Sequence, residues 1–322
     1  MGSDQVLKVA ISDFWDGFDP RNHMVVNALL PSQFGPIEVV DVASADLVIH
    51  SVFGVNHLRA RGTVVAYSPE PRIAERSAAQ WFIDWRHLDH PNHLRMPVWA
   101  SYLMRGKFDF AGDGPDPAGR KFCNFVYSNG RCAMRNAFFE ALHQREPVES
   151  LGTVLNNTRQ PALSQRYDPT WRHSKVGVLG AYKFTIAFEN SEHVGYTTEK
   201  LTDAWLADTV PIYWGNPALS ADLPIGACLS LYEAGSMAKL VEQVLEVHHD
   251  PVRYEEIRQA NPFRTGEIHD LIGRFAGDLA EFGARIRDDA VAHAGTRRVS
   301  IPRYLYNRLP VIRSQLAGRF GS

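Results

Sequence analysis

The stretch YKFTIAFENSEHVGYTTEKLTDAWLADTVPIYWGNP, Tyr182 to Pro217, decides the fold. KFTIAF (183–188) is a short run rich in aromatic and β-branched residues, which predicts a strand. A polar loop follows, then a helix opening at Thr197 or Thr198, then a second strand, VPIYWG (210–215). Strand, helix and strand in that order make a βαβ unit, the usual way to build a parallel sheet. The loop from Glu189 to Lys200 gathers acids, an amide, an aromatic and a lysine where the first strand ends. Ligands bind at that end of open α/β sheets. The helix N-terminus there adds unpaired N–H groups and a positive dipole end suited to a phosphate.

The same alternation runs outward in both directions. Upstream, strands are predicted at 6–12, 37–42, 45–51 and 63–68, with helices between Asn22 and Leu30 and around 57–62. LRMPVWASYL (94–103) closes this half, and the Gly-, Pro- and Asp-rich run from 106 reads as a linker. A second α/β run begins with a strand and an Asn-Gly turn, FCNFVYSNG (122–130), followed by a helix, MRNAFFEALHQ (134–144). Beyond the βαβ unit come a strand, ACLSL (227–231), and an amphipathic helix over 236–250. The expected architecture is α/β, with two Rossmann-like domains facing across a cleft. Residues 1–105 form an N-terminal domain, 106–120 a linker, 121–290 a C-terminal domain and 291–322 a basic amphipathic tail.

Length and composition narrow the class. A chain of 322 residues suffices for two ordinary cores, and 45% hydrophobic with 22% charged residues is a globular balance. A net charge of −2 gives no field that favours nucleic acid. Cys123, Cys132 and Cys228 have no metal spacing and cannot all pair with one another, which suits a reducing, cytoplasmic compartment. The opening MGSDQVLKVAISDFW lacks a charged segment before a long apolar one, so no signal peptide is expected, and no run of about 18 apolar residues suggests a membrane span. Asn156-Asn157-Thr158 has the form of a glycosylation sequon and, without secretion, reads as a turn. The tail RRVSIPRYLYNRLPVIRSQLAGRF carries six arginines and no acid. Two readings stay open for it: peripheral contact with an anionic membrane surface, or an apolar face packed back on the protein. A homodimer is a further open expectation.

The pattern AFEN-x5-YTTEKL-x8-VPIYWGNP, Ala187 to Pro217, resembles the signature of the α1,3/4-fucosyltransferases. The resemblance is dense over about 120–220, weaker at 63–103 and thin elsewhere. It implies the GT-B arrangement and an inverting transfer of fucose from GDP-fucose to the 3-hydroxyl (or 4-hydroxyl) of a GlcNAc unit in a glycan. Bacterial members often carry a C-terminal heptad array, which this chain lacks, and the stretch from Arg72 to Arg95 follows no transferable pattern. The acceptor is therefore open among lactosamine-type glycans, a glycan-core GlcNAc and chitin-type oligosaccharides.

Glycosyl transfer needs a base for the acceptor hydroxyl, positive groups for the departing diphosphate and polar groups for ribose and sugar. Glu70, in VVAYSPEPR at a predicted strand end, matches the family segment (Y/F)-x-x-E and is the expected base. An ordinary turn glutamate beside two prolines is the plain alternative. Lys200 and Arg135 are the expected diphosphate ligands; Arg135 lies in RNAF, which the family shares, and a guanidinium binds phosphate in bidentate fashion. A lysine in the first turn of a helix is unfavourable for the dipole, which hints at a compensating anion. Glu199, Tyr196 and Asn190 are expected around the ribose and donor sugar, with Glu189 bracing the loop or, together with Asn190, capping its turn. No metal and no cofactor are expected, since cations can do a metal's work at the leaving group.

Several features point elsewhere and are weaker. His87, His90 and His93 repeat every third residue, but Pro91 breaks the helix that would align them as metal ligands. Asp113-Gly-Pro-Asp116 is not an Asp-x-Asp motif, and no G-x-G-x-x-G follows the first strand. Trp15 is either core or a sugar-stacking wall of the acceptor site. Two other classes remain: another GT-B nucleotide-sugar transferase, and a non-catalytic glycan- or nucleotide-binding protein.

Overall fold

The structure, a computed structural model, describes residues 6–20, 24–30, 36–72, 79–104, 110, 112, 117–159, 162–163 and 171–295. Most of the expected linker, Asp113 and Asp116 within it, and all of the tail from residue 296 lie outside these residues.

Eleven strands among the described residues form two parallel sheets. The first sheet holds β1 (Leu7–Ser12), β2 (Ile37–Val39), β3 (Leu47–His50), β4 (Thr63–Ser68), β5 (Trp81–Asp84) and β6 (His93–Arg95), in the order β2-β1-β3-β4-β5-β6. The second holds β7 (Lys121–Phe125), β8 (Val148–Ser150), β9 (Tyr182–Phe188), β10 (Val210–Trp214) and β11 (Leu229–Ser230), in the order β11-β10-β9-β7-β8. Every recorded strand pairing is parallel. Parallel neighbours need long crossovers, and helices on both faces bury the central strands. Accordingly β3, β4, β5 and β10 are buried at every position, while β2, at an edge, is exposed throughout.

The helices are α1 (Met24–Leu29), α2 (Val98–Leu103), α3 (Ala133–His143), α4 (Trp171–Leu179), α5 (Glu199–Leu206), α6 (Leu231–Ala234), α7 (Met237–His249), α8 (Pro251–Gln259), α9 (Pro262–Thr265) and α10 (Glu267–Ala292). Helix α5 begins where the sequence places it. Thr198 is the N-cap, and Leu201, Ala204 and Trp205 form its buried face, with the Trp205 indole donating to the Ala227 carbonyl at 2.8 Å. The 57–62 helix of the sequence reading is a single 3-10 turn, Asn56–Arg59. Asn156 closes an Asx turn, its Oδ1 accepting from the Thr158 amide at 3.2 Å.

Two compact units emerge. One runs through Met96 and resumes at Arg274; the other is Pro97–Gly273. The sequence reading divides the chain at 105 and 290 instead. Two local contacts explain the difference. Helix α2 belongs with the second unit, where the Trp99 amide donates to the Thr197 carbonyl at 3.0 Å. The later turns of α10 belong with the first sheet: Phe282 packs edge-on against Trp81 at 5.3 Å, and Asp289 Oδ2 accepts from Trp81 Nε1 (3.1 Å) and Thr63 Oγ1 (3.0 Å).

The core of the second unit gathers Phe125, Phe138, Phe184, Phe188, Ile212, Leu240 and Val244 around its sheet. Below it, Asp208 is fully buried and in the left-handed region at φ 57°. Its carboxylate accepts from Arg120 (3.1 Å), from Arg264 through Nε and Nη2 (2.7 Å each), and from Arg258. Three guanidiniums thereby tie α8, α9 and the entry to β7 to one carboxylate.

Candidate active site

Strand order reverses once in each sheet, and a parallel sheet opens a crevice at that reversal, beyond the strands' C-terminal ends. In the second sheet the reversal falls between β7 and β9. The residues that leave these two strands are the ones the sequence singles out.

Glu189 follows β9 directly and is fully buried. Its Oε1 accepts from the Thr198 amide (2.7 Å) and hydroxyl (2.9 Å); its Oε2 accepts from the same hydroxyl (2.8 Å) and from Lys200 Nζ (3.0 Å). Thr198 Oγ1 meets Lys200 Nζ as well, at 2.8 Å. The strand end, the helix cap and the first turn of α5 are thus one knot. Burial acts to lower the Lys200 pKa, yet the Glu189 and then the Glu199 carboxylates outweigh it and hold the ammonium well above its usual range. Burial pushes the Glu189 carboxyl up, opposed by that ammonium. The anion that offsets a lysine in the first helical turn is therefore one the chain supplies itself.

Backbone geometry makes room for the knot. Gly215 adopts φ 145°, and a Cβ there would overlap the Glu189 Cβ and Cγ, so only glycine fits. Gly195 turns the loop at φ 87°, and the buried Asn216 latches it: Oδ1 accepts from Gly195 N (2.8 Å) and Ala218 N (3.0 Å), while Nδ2 donates to Thr197 Oγ1 (3.1 Å).

Arg135 sits in the first turn of α3 and is completely buried. Its Nη1 donates to Asn190 Oδ1 at 2.9 Å, Nη2 to the Asn129 carbonyl, and the guanidinium lies 3.8 Å over the Tyr127 ring. Arg135 and Asn190 thus meet across the β7/β9 reversal. Tyr196 is buried at 2% exposure, and Glu199 stands at the start of α5, 3.6 Å from Lys200. The structure brings Arg135, Glu189, Asn190, Tyr196, Glu199 and Lys200 together at one sheet end, with Glu189 and Arg135 beneath the surface. Thr198, which the sequence reading marks only as a helix start, and Asn216, which it does not single out, complete the frame. Thr is a preferred N-cap, which the sequence shows; that the same hydroxyl also meets Glu189 and Lys200 it does not.

Glu70 lies in the first unit, two residues beyond β4, again at a C-terminal strand end. Its carbonyl accepts from Ser68 Oγ (3.2 Å) and Trp85 Nε1 (3.0 Å), which fixes the backbone beneath the side chain. His93 is on a strand, not a helix, with its Nε2 3.0 Å from Asp84 Oδ1, while His87 and His90 lie in the loop before it, where His90 Nδ1 accepts from the Asn92 amide at 3.1 Å.

Residues 9–102 match the model of the alpha-(1,3)-fucosyltransferase FucT N-terminal domain, and residues 118–259 that of the glycosyltransferase family 10 (fucosyltransferase) C-terminal domain. The chain belongs to the family 10 fucosyltransferases. It is 32% identical over 184 residues to the alpha-(1,3)-fucosyltransferase FucT of Helicobacter pylori, an alignment covering 56% of this chain and 36% of that protein. It is 30% identical over 141 residues to an alpha-(1,4)-fucosyltransferase of Arabidopsis thaliana, covering 40% of this chain and 35% of the relative. The chain thus spans about a third of the length of these curated relatives. A crystal structure of an alpha1,3-fucosyltransferase with GDP-fucose superposes with a TM-score of 0.66 at 25% identity, covering 81% of this chain and 84% of that one. The two parallel α/β units are the GT-B class of fold.

Proposed function

We propose that this chain transfers L-fucose from GDP-fucose to the 3-hydroxyl (or 4-hydroxyl) of a GlcNAc unit, with inversion at the anomeric carbon. The observation that carries the reading is the Glu189–Thr198–Lys200 knot, which sets an ammonium and the α5 N-terminus at the β7/β9 reversal of a family 10 chain. The names of the relatives include both linkages, which keeps both hydroxyls in the reading.

In this reaction the acceptor oxygen attacks the anomeric carbon as the bond to the β-phosphate oxygen breaks. Glu70 takes the hydroxyl proton, and GDP departs with the bonding pair. Charge grows on the diphosphate, where Lys200 and the N–H groups of α5 meet it. Arg135 adds its charge from beneath and holds Asn190 in place. Glu199 and Tyr196 serve the ribose and the sugar, and Glu189 keeps Lys200 charged and aimed. These cations suffice for the leaving group, so this mechanism runs without a divalent ion or a cofactor. Competition between GDP-fucose, GDP-mannose and UDP-glucose for the site tests the donor. The reading requires GDP-fucose to bind tightest, and preferential binding of UDP-glucose would replace it with another GT-B transferase.

A further inference from the structure

Strand β4 ends at Ser68, opposite Asp84 of β5, and Pro69, Glu70 and Pro71 follow. Neither proline has a backbone N–H, so the ladder to β5 finds no donor at 69 or 71 with which to continue. Each proline also restricts the residue before it, Ser68 or Glu70, to extended backbone. The segment is thus stiff along its own length but lacks the donors that would tie it to a neighbouring strand.

Side chains supply the tie instead. The Glu70 carbonyl accepts from Ser68 Oγ at 3.2 Å and from Trp85 Nε1 at 3.0 Å. The Ser68 hydroxyl also meets the Arg72 carbonyl, so its one proton is divided between two acceptors on either side of Pro71. The indole N–H is not shared in this way between the two carbonyls. Both donor residues are buried, Ser68 at 2% and Trp85 at 4% exposure, so water competes little for either bond.

Trp85 is itself seated firmly. Asp84, the last residue of β5, is buried, and its carboxylate grips the residue on the far side of Trp85. Oδ1 accepts from the Arg86 amide (2.9 Å) and Nε (3.0 Å), and Oδ2 from Arg86 Nε (3.1 Å) and Nη2. Oδ1 also stands 3.0 Å from His93 Nε2, and the Asp84 carbonyl accepts from the Met96 amide at 2.8 Å. Residues 84 and 86 are therefore bound to one carboxylate, and that carboxylate is bound to β6. The indole between them is fixed relative to two strands of the sheet.

We propose that Trp85 is a positioning residue for the transfer step: its indole N–H, seated on the Asp84 knot, holds the Glu70 carbonyl and so sets where the Glu70 carboxylate stands. This role rests on the reading of Glu70 as the base, and it adds the residues that aim that base. Ser68 shares the task, while Asp84, Arg86 and His93 act one step further back. None of these five is assigned a contact with substrate. A base works only within hydrogen-bond reach of the proton it takes, and a displacement of about 1 Å can cost roughly a hundredfold in rate.

Trp85→Phe keeps an apolar ring and removes the donor. In the full chain with GDP-fucose and a GlcNAc-containing acceptor, kcat should fall roughly ten- to a hundredfold, with both KM values within about twofold of wild type. A merely structural role would lower the melting temperature and leave kcat of the folded protein alone. Ser68→Ala, a smaller change, should lower kcat in the same direction and decides the matter where Trp85→Phe unfolds the unit. In a Glu70→Gln background Trp85→Phe should slow the residual rate no further, since no base is left to aim. Unaltered kcat in Trp85→Phe and Ser68→Ala, in a chain that Glu70→Gln slows, would overturn the positioning role and leave the base standing. An undiminished effect of Trp85→Phe in the Glu70→Gln background would overturn it as well, by showing that the indole acts elsewhere. Turnover that survives Glu70→Gln intact would instead remove the base, and this role with it.

Discussion

Replacing Glu189 by Gln tests how the Glu189–Thr198–Lys200 knot is held together. The side chain is fully buried, and Oε2 accepts from both Lys200 Nζ and Thr198 Oγ1. An amide cannot satisfy both sides. If its oxygen keeps the two Thr198 contacts on Oε1, its NH2 group faces the Lys200 ammonium at 3.0 Å, donor against donor. The lysine side chain is only 15% exposed, so water does little to repair the loss. Losing one charged hydrogen bond costs about 1.5–3 kcal/mol, and with Thr198 Oγ1 and the Glu199 carboxylate still facing the ammonium the loss stays within that range. Lys200→Met strands Glu189 in turn, whereas the double variant removes both charges and should cost clearly less than the two singles together. A coupling of at least about 2 kcal/mol is expected. Native-state hydrogen exchange of the β9 and β10 amides reads the opening of this unit on its own, which a global melt of a two-unit chain does not. A loss below about 1 kcal/mol in Glu189→Gln, or additive single variants, would refute the reasoning.

Three further outcomes follow from single contacts. Gly215→Ala should push Glu189 aside and abolish measurable GDP binding by calorimetry, since the added Cβ meets Glu189 at a φ that favours glycine. Asp208→Ala should destabilise the second unit by about 3–5 kcal/mol in hydrogen exchange, because it leaves the guanidiniums of Arg120, Arg258 and Arg264 around an empty centre. Asp84 is buried, which raises its pKa, but hydrogen bonds from His93 and Arg86 bring it from 3.8 down to about 2. A depressed carboxyl contributes stability above its unfolded pKa and loses it as pH falls through the folded value. Acid unfolding of the first unit should therefore cost about 2 kcal/mol between pH 4 and 2, and Asp84→Asn should flatten that slope.

The sequence carries the fold where apolar runs are short and bounded. KFTIAF, TVVAYS and VPIYWG match β9, β4 and β10 to within a residue because both faces of these central strands are buried. Strands β5 and β6 are only four and three residues long, inside a stretch with no alternation to mark them. Helix α10 shows a helical apolar period at Ile268, Leu271, Leu279, Phe282 and Ile286, but periodicity gives a face without saying which sheet it covers. That is why the sequence boundary at 290 differs from the crossing at Arg274. The placement of Lys200, Glu189 and Arg135 at C-terminal strand ends of one sheet was legible through motif spacing. The pairing of Asp13 with His57 was not, since it joins residues 44 apart through a left-handed turn that the side chain itself disfavours. Nor does the sequence reveal that Glu189 sits against Lys200, because buried contacts of this kind depend on strand-end geometry.

Fucosyl transfer from GDP-fucose with Glu70 as base is tested most directly by GDP release. The chain, with EDTA present, is incubated with GDP-fucose and a panel of GlcNAc-containing acceptors, alongside Glu70→Gln. The expected result is acceptor-dependent GDP from the wild type, and a fall in kcat of about 10²–10⁴ in the variant with GDP affinity unchanged. GDP release that is independent of every acceptor, or turnover that survives Glu70→Gln intact, would contradict it.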